Sequence, residues 1–303
     1  FANLMWAGLA HYASDTLPRS DTFRLYGDQL EKVTAAGHRN GVQVHIWAVL
    51  WNLTAAPASY IEKARSEGRL LMDADGKTLP WLCPAHPENR AQTLAALREI
   101  ARLQPIDGLH LDYIRYPVNE FVYGSTTRAD FEKRIGRKVP RWPADVRPGG
   151  PLRGDYEKWR AEVITSFVRE VRAMLRQNRP DAKLSAAVFG GYPDCITSIG
   201  QDWGSWLKDG LVDFVAPMNY TDNLSRFTTL LNTQIRLTGA RDRIVPGIGV
   251  EADESSLTAD LVIEQIAAAR RLGVESFVLF DLNPELRDRI LPMLRLGLTR
   301  PRN

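Results

Sequence analysis

The sequence predicts an α/β fold, a (β/α)8 TIM-type barrel, on three observations. Strand-like apolar runs alternate with amphipathic helical stretches along all 303 residues, in repeats of roughly 30–45 residues that suit strand–helix units. Several runs are almost continuously apolar, as parallel strands covered on both faces are. No glycine-rich phosphate turn follows any strand: GIGV at 247–250 lacks the later glycine, which disfavours the alternative, a doubly wound open sheet.

In chain order the candidate strands are NLMWAGLAHY, VQVHIWAVLW, GLHLDYIRY, KLSAAVFG, DFVAPMNY, RIVPGIGV and SFVLFDL. These are seven strands, and a barrel needs eight, so the expectation is a barrel lacking its first strand in this chain. Helices are expected over 26–40, stopping at Gly41, and from Pro87 to just before Pro105. Others fall at 155–178, ahead of Pro180, and at 224–237, 257–272 and 284–296. LLMDADGKTLPWLCP reads as a hairpin turning at Asp75-Gly76; Asp73 and Asp75 resemble the opening of a calcium loop, but the remaining ligands are absent. A long excursion, NEFVYGSTTRADFEKRIGRKVPRWPADVRPGGPLRG at 119–154, interrupts the alternation, and such excursions are functional or mobile. The whole of 1–303 is expected to form one barrel domain.

Composition bounds the chemistry. With 39 Lys and Arg against 36 Asp and Glu, the net charge is only +3, and no basic block marks a nucleic-acid partner. No stretch reaches the ~18 apolar residues of a membrane span. The two cysteines, Cys83 and Cys195, are too few for a cysteine-rich zinc site; two separate thiols are expected, with a single disulfide as the alternative. The five histidines form no HxH or HExxH pair and no GxSxG elbow is present, so neither a metal ligand set nor a serine nucleophile is assigned. No cofactor is implied.

The polar residues concentrate at strand ends, where a parallel barrel places its active site. In DGLHLDYIRYP, alternation puts His110 and Asp112 on one face of the strand and Leu109, Leu111 and Tyr113 on the other. A carboxylate on the inner face costs several kcal/mol unless partnered, so Asp112 is the first catalytic candidate, with Arg115 as its partner or a substrate clamp. An ion pair that merely orders the loop is the structural alternative. His110 either positions Asp112 or carries a proton, whereas Asp107 suits a turn or cap. Later strand ends offer Asn219, Tyr220 and Asp222, then Glu251, Asp253 and Glu254, then Asp281, Asn283 and Glu285, with Tyr192 and Asp194 on an earlier one. Aromatic residues cluster similarly: Trp6, Tyr12, Trp47, Trp51, Trp81, Tyr113, Tyr116, Trp142, Tyr192 and Tyr220 lie at or beyond strand ends. Flat rings of this kind bind the apolar faces of sugars; core packing is the alternative for each, and Trp51 and Trp142 are the favoured ligand platforms.

The blocks DGLHLDYIRYP, KLSAAVFGGYP, GQDWGSWLKDGLVDFVAPMNYT and IVPGIGV resemble the glycosyl-hydrolase-like family 10 proteins, over nearly the whole chain. The resemblance implies a bacterial, often exported (β/α)8 protein, one branch of which cleaves peptidoglycan glycan strands lacking peptides. It places Asp112 at the fourth strand of the complete barrel and the first strand before Phe1, and it implies a secreted, periplasmic or cell-envelope location. The same block is similar to the retaining chitinases' D-G-x-D-x-D-x-E, but His110 stands at the middle aspartate, Ile114 at the catalytic glutamate and Thr221 at the acid of M-x-Y-D. A chitinase mechanism is therefore not carried over.

The reading that follows is a glycoside hydrolase acting on a bacterial or other complex polysaccharide. Asp112 is nucleophile or base, and Glu251, then Asp281, then Asp222, are the candidates for the proton donor. A carboxyl separation of ~5–5.5 Å implies retention and ~6.5–9.5 Å inversion. His110, Tyr113, Arg115, Tyr116, Asn219, Tyr220, Trp47, Trp51 and Tyr192 are expected to bind substrate. The rivals are a glycan-binding barrel without turnover and a metal-dependent, deacetylase-like hydrolase using His110 and Asp112.

Overall fold

The computed structural model describes residues 1–118 and 122–297, in two compact units. The first comprises Phe1–Ala186 and Pro193–Asp202; the second comprises Ala187–Tyr192 and the chain from Trp203 onward.

The first unit contains strands β1 (Ala2–Trp6), β2 (Leu9–Ala10), β3 (His45–Val49), β4 (Leu70–Met72), β5 (Thr78–Leu82), β6 (Gly108–Asp112) and the start of β7 (Lys183–Phe189). Their order is β2-β1-β3-β6-β7, parallel except for β2, which folds back antiparallel on β1. Helices α1 (Asp21–Tyr26), α2 (Gln29–Arg39), α3 (Ala58–Ser66), α4 (Pro87–Leu103), α5 (Ser125–Ile135), α6 (Arg153–Asn178) and α7 (Asp194–Ile199) fill the connections. The single helix expected over 26–40 is interrupted at Gly27 (φ 73°), after which Asp28 caps α2 through Leu30 N and Glu31 N. An aspartate at this position satisfies N–H groups that have no partner within the helix.

Why β6 holds its place follows from its alternation. Leu109 and Leu111 join Ile46, Ala48, Leu184 and Ala186 on one face, all fully buried. Each buried leucine or isoleucine contributes roughly 1.5–3 kcal/mol over leaving it exposed. At the strand's start, Asp107 Oδ2 accepts from Val44 N at 2.7 Å and lies 2.8 Å from His38 Nε2, a structural role as expected. Gly108 is required beside it: a Cβ there would meet the His45 ring at 2.3 Å.

β4 and β5 form the expected hairpin. Asp73 Oδ1 accepts from Asp75 N and Lys77 N, and Gly76 has φ 83°, so Asp73 closes a turn. The excursion is not simply a loop. Its start, 119–121, lies outside the described residues, but the remainder holds α5 and a short 3-10 turn, Ala144–Val146. Its rings of Tyr123, Phe131 and Trp142 pack with Tyr156 and Trp159 of α6. Glu132 ties its base, bonded to Arg128, Lys138 and Val139 N. Both cysteines are buried thiols and no disulfide joins them: Cys83 Sγ sits 3.7 Å from Thr127 Oγ1, and Cys195 Sγ donates to Gln201 O.

The second unit continues the alternation with β8 (Phe214–Met218), β9 (Gly247–Gly249), a small antiparallel pair β10 (Glu251–Ala252) and β11 (Ser255–Ser256), and β12 (Val278–Phe280). Strands β8, β9 and β12 are parallel neighbours in that order. Its helices are α8 (Trp203–Lys208), α9 (Leu224–Thr238), α10 (Ala259–Arg271) and α11 (Leu291–Arg295), the last preceded by a π-type turn at Leu286–Ile290. Among the described residues no helix is long and apolar enough to cross a membrane.

Two outcomes test this account. Gly108→Ala forces the His45 ring away and should lower stability by about 1–3 kcal/mol, read from the denaturant midpoint. The bonds from Lys138, Val139 N and Arg128 hold the Glu132 carboxyl at about 2, below its ordinary 4.5. A depressed folded value stabilises at pH above 4.5, and the contribution fades as pH falls towards about 2. Glu132→Gln should therefore weaken amide protection over 125–139 at pH 7, with the difference from the parent narrowing below pH 4.5 in hydrogen exchange.

Candidate active site

Parallel pairing brings the polar face of β6 against that of β3. Register sets Trp47 beside His110 and Val49 beside Asp112, and His110 beside Ser185 of β7. One polar layer therefore contains Trp47, His110 and Ser185, and the next contains Asp112 at the strand's C-terminal end. Sequence alternation gave the face of His110 and Asp112. It carried no signal for Ser185, whose place depends on which strand pairs with β6.

Asp112 is 8% exposed. Its Oδ2 accepts from the Trp47 indole N–H at 3.0 Å and its Oδ1 from Tyr113 N at 2.6 Å, while its carbonyl accepts from Leu50 N. Burial raises its pKa above the ordinary carboxylate value; Tyr113 N, the nearby Arg115 charge and Trp47 oppose that rise without cancelling it. Both side-chain contacts donate to the carboxyl oxygens, so they favour and orient the anion. The result is a carboxylate of raised basicity with an N–H donor on each oxygen.

His110 lies in the polar layer next to that of Asp112, beside Trp47 and Ser185. Its Nδ1 lies 2.8 Å from Ser185 Oγ, and its ring packs against Phe1 with centroids 4.2 Å apart and planes tilted by 35°. Burial foremost lowers its pKa to about 3, which favours the neutral ring at neutral pH. Arg115 stacks over Tyr113 at 4.7 Å and Trp81 at 5.3 Å, and Nη1 donates to Tyr116 O. Burial lowers its pKa while Asp112 and Tyr113 raise it; its charge reaches Asp112 through space.

Ala7 (φ 50°), Trp51 (58°) and Tyr113 (53°) are the positive-φ residues other than glycine among those described. They follow the C-terminal ends of β1, β3 and β6, which are consecutive in the sheet. Each costs about 1–3 kcal/mol, and strain of this kind gathers where backbone is held for function.

Several expected substrate contacts are corrected by burial. Trp51 is 2% exposed with its ring against Phe167, and Tyr116 is fully buried under Arg160; neither presents a face to a ligand. Trp142 is half-buried in the aromatic cluster, its N–H donating to Tyr123 O. In the second unit Asn219 is fully buried, its amide exchanging two hydrogen bonds with Gln234. Tyr220 stacks on Phe280 at 5.4 Å and Tyr192 leans on Trp203 at 4.4 Å, both half-buried. Of the acids, Glu251 is exposed and accepts from Asn283 Nδ2 at 2.7 Å; Asp222 and Asp281 are exposed. Among the described residues no three His, Cys, Asp or Glu gather into a metal-binding group.

Comparison with known proteins agrees with this architecture. The PgaB (BpsB) glycoside hydrolase domain of Bordetella bronchiseptica superposes with a TM-score of 0.75 at 16% identity, covering 95% of this chain and 83% of that one. A beta-galactosidase from Bacillus circulans sp. alkalophilus gives 0.65 at 14% identity, over 93% and 46%. At such identities the likeness shows the fold, that of (β/α)8 barrels. An S-layer-related protein of Niallia circulans is 27% identical over 150 residues, 45% of this chain and 9% of its own length. Glycosyl hydrolase YngK of Bacillus subtilis is 20% identical over 152 residues, 45% of this chain and 27% of its own. The chain thus spans only a small part of these curated relatives. The model of the family described as Glycosyl hydrolase-like 10 matches residues 3–242, well over half of the chain, and the protein belongs to that family.

Proposed function

We propose that this chain hydrolyses O-glycosidic bonds of a complex polysaccharide, with peptidoglycan glycan strands among the candidate substrates. The observation that carries the reading is Asp112: a buried carboxylate at a strand's C-terminal end, oriented by two N–H donors and raised in basicity by its surroundings. A carboxylate held this way suits attack on an anomeric carbon or activation of water, the two roles open to the basic member of a glycosidase pair. The printed descriptions of relatives, a glycosyl hydrolase and a glycoside hydrolase domain, support the same class. An S-layer-related relative supports action at or outside the cell surface.

The second carboxyl is proposed from sequence, with Glu251 ahead of Asp281 and Asp222. Glu251 keeps that rank because Asn283 fixes its side chain. Tyr113, Arg115, Tyr220 and Tyr192 remain proposed substrate contacts, and His110 and Trp47 are proposed to position Asp112 and its layer. Single substitutions sort the three acids: loss of the true proton donor slows natural linkages far more than aryl glycosides whose leaving group needs no protonation.

Two measurements test the assignment. Asp112→Asn should abolish turnover across a polysaccharide panel, with thermal unfolding still cooperative and close to the parent. Turnover surviving in that variant refutes the role. Because the folded Asp112 titrates above an ordinary aspartate, activity should fall as pH drops through that raised value. Trp47→Phe removes a donor that favours the anion, so the acid limb of kcat/KM should move to higher pH still. An unmoved or lowered limb counts against Asp112 as the base.

A further inference from the structure

The register of β1 against β3 shifts between Asn3 and Met5. Ala2 and Asn3 pair with Ile46 and Trp47, whereas Met5 pairs with Ala48, so Leu4 and Met5 together oppose one residue of β3. Asn3 shares the polar face of Trp47, and Met5 the apolar face of Ala48. Without the shift, strict alternation from Asn3 would send Trp6 to the apolar face, beneath the helices. With it, Trp6 follows Met5 onto the face that carries Trp47 and Asp112, at the level of Val49 and Asp112. An extra residue in a strand re-aims the side chains beyond it, and such shifts concentrate at barrel rims and beside active sites.

Exposure agrees with this placement. Leu4 and Met5 are buried at 3% and 4%, but Trp6 is 37% exposed. The chain then leaves the strand through Ala7 in the left-handed region (φ 50°) and folds back as β2, with Leu9 beside Trp6. This strained turn fixes where β1 ends and therefore where the indole stands. An exposed tryptophan costs hydrophobic free energy that core packing would recover, and here the backbone is distorted in a way that keeps it exposed.

We infer that Trp6 is a sugar-stacking platform that binds the apolar face of a pyranose ring of the polysaccharide away from the bond being cleaved. β1, β3 and β6 are consecutive in the sheet, so Trp6 stands two strand spacings from Asp112, about 9–10 Å, roughly one or two sugar rings along a chain. A flat, half-open ring at that remove makes contact with extended substrates and none with short ones. The inference rests on the glycosidase reading and adds a subsite to it.

The test uses the Asp112→Asn protein, so that ligands are not consumed. Its affinity is measured by calorimetry for di- and hexasaccharides of glucose, mannose, galactose and N-acetylglucosamine. Adding Trp6→Leu, which keeps an apolar side chain but removes the ring, should weaken hexasaccharide binding about tenfold and leave disaccharide binding unchanged. Trp6→Phe should keep affinity within about threefold, and it reports on the ring should the leucine variant fail to fold. Equal hexasaccharide affinity with and without the ring overturns the inference, as does an equal loss for both ligand lengths or no saturable binding by the Asp112→Asn protein. Polysaccharide turnover by the wild-type chain is read separately. Binding that depends on Trp6 without turnover sinks the hydrolase reading alone, and turnover of long substrate indifferent to Trp6→Leu sinks the platform alone.

Discussion

A carboxylate taken out of water is the constraint around which the first unit is arranged. Burying an ionised group costs several kcal/mol unless hydrogen bonds replace its hydration. At Asp112 two N–H donors do so. One of them, the Trp47 indole, reaches the carboxyl only because β3 and β6 pair in one register. A slip of one residue would send His110 and Asp112 to the face now held by Leu109 and Leu111. The buried aliphatic face and the polar face thus specify the same register independently. Gly108 contributes at the opposite end of β6, where the His45 ring occupies the space a side chain would need.

The incomplete compensation at Asp112 is informative. A structural ion pair would depress its pKa, and the alternative of an arginine bridge predicts that outcome. Instead burial outweighs the donors and Arg115 together, while Arg115 is held over two aromatic rings. The protein keeps the carboxylate less stabilised than it would be in water, which is what a base or nucleophile requires. The left-handed backbone at Ala7, Trp51 and Tyr113 belongs to the same economy. Stability is given up at three consecutive strand ends and supplied by the aliphatic face below them.

What was legible in the sequence follows from what is local. Strand and helix alternation, the hairpin turning at Asp75-Gly76 and the face of Asp112 depend on neighbours in the chain, and they are present as expected. The helix within the excursion was missed because α5 buries only Thr127, Phe131 and Glu132, too sparse an apolar pattern to signal 3.6-residue periodicity. The burial of Trp51, Tyr116 and Asn219 was equally hidden. Each lies near a polar strand end in sequence, yet each finds its partner far along the chain, Phe167, Arg160 and Gln234 respectively. Trp6 was legible as a strand-end aromatic, but the face it takes was not: only the pairing with β3 exposes the register shift.

The histidine in the middle of the strand can be understood from the same layer. Where the chitinases have an acid, this chain has a residue that is uncharged at neutral pH, its pKa driven to about 3 by burial. A second carboxylate directly below Asp112 would push the Asp112 pKa up further through like-charge repulsion and leave one of the pair protonated. A neutral imidazole bonded to Ser185 fills the layer without adding charge. Asp112 can then ionise alone, its basicity set by desolvation and two donors instead of by a neighbouring acid. The substitution therefore changes how the strand tunes its carboxylate while keeping polar side chains at 110 and 112, the two inward positions that follow Gly108.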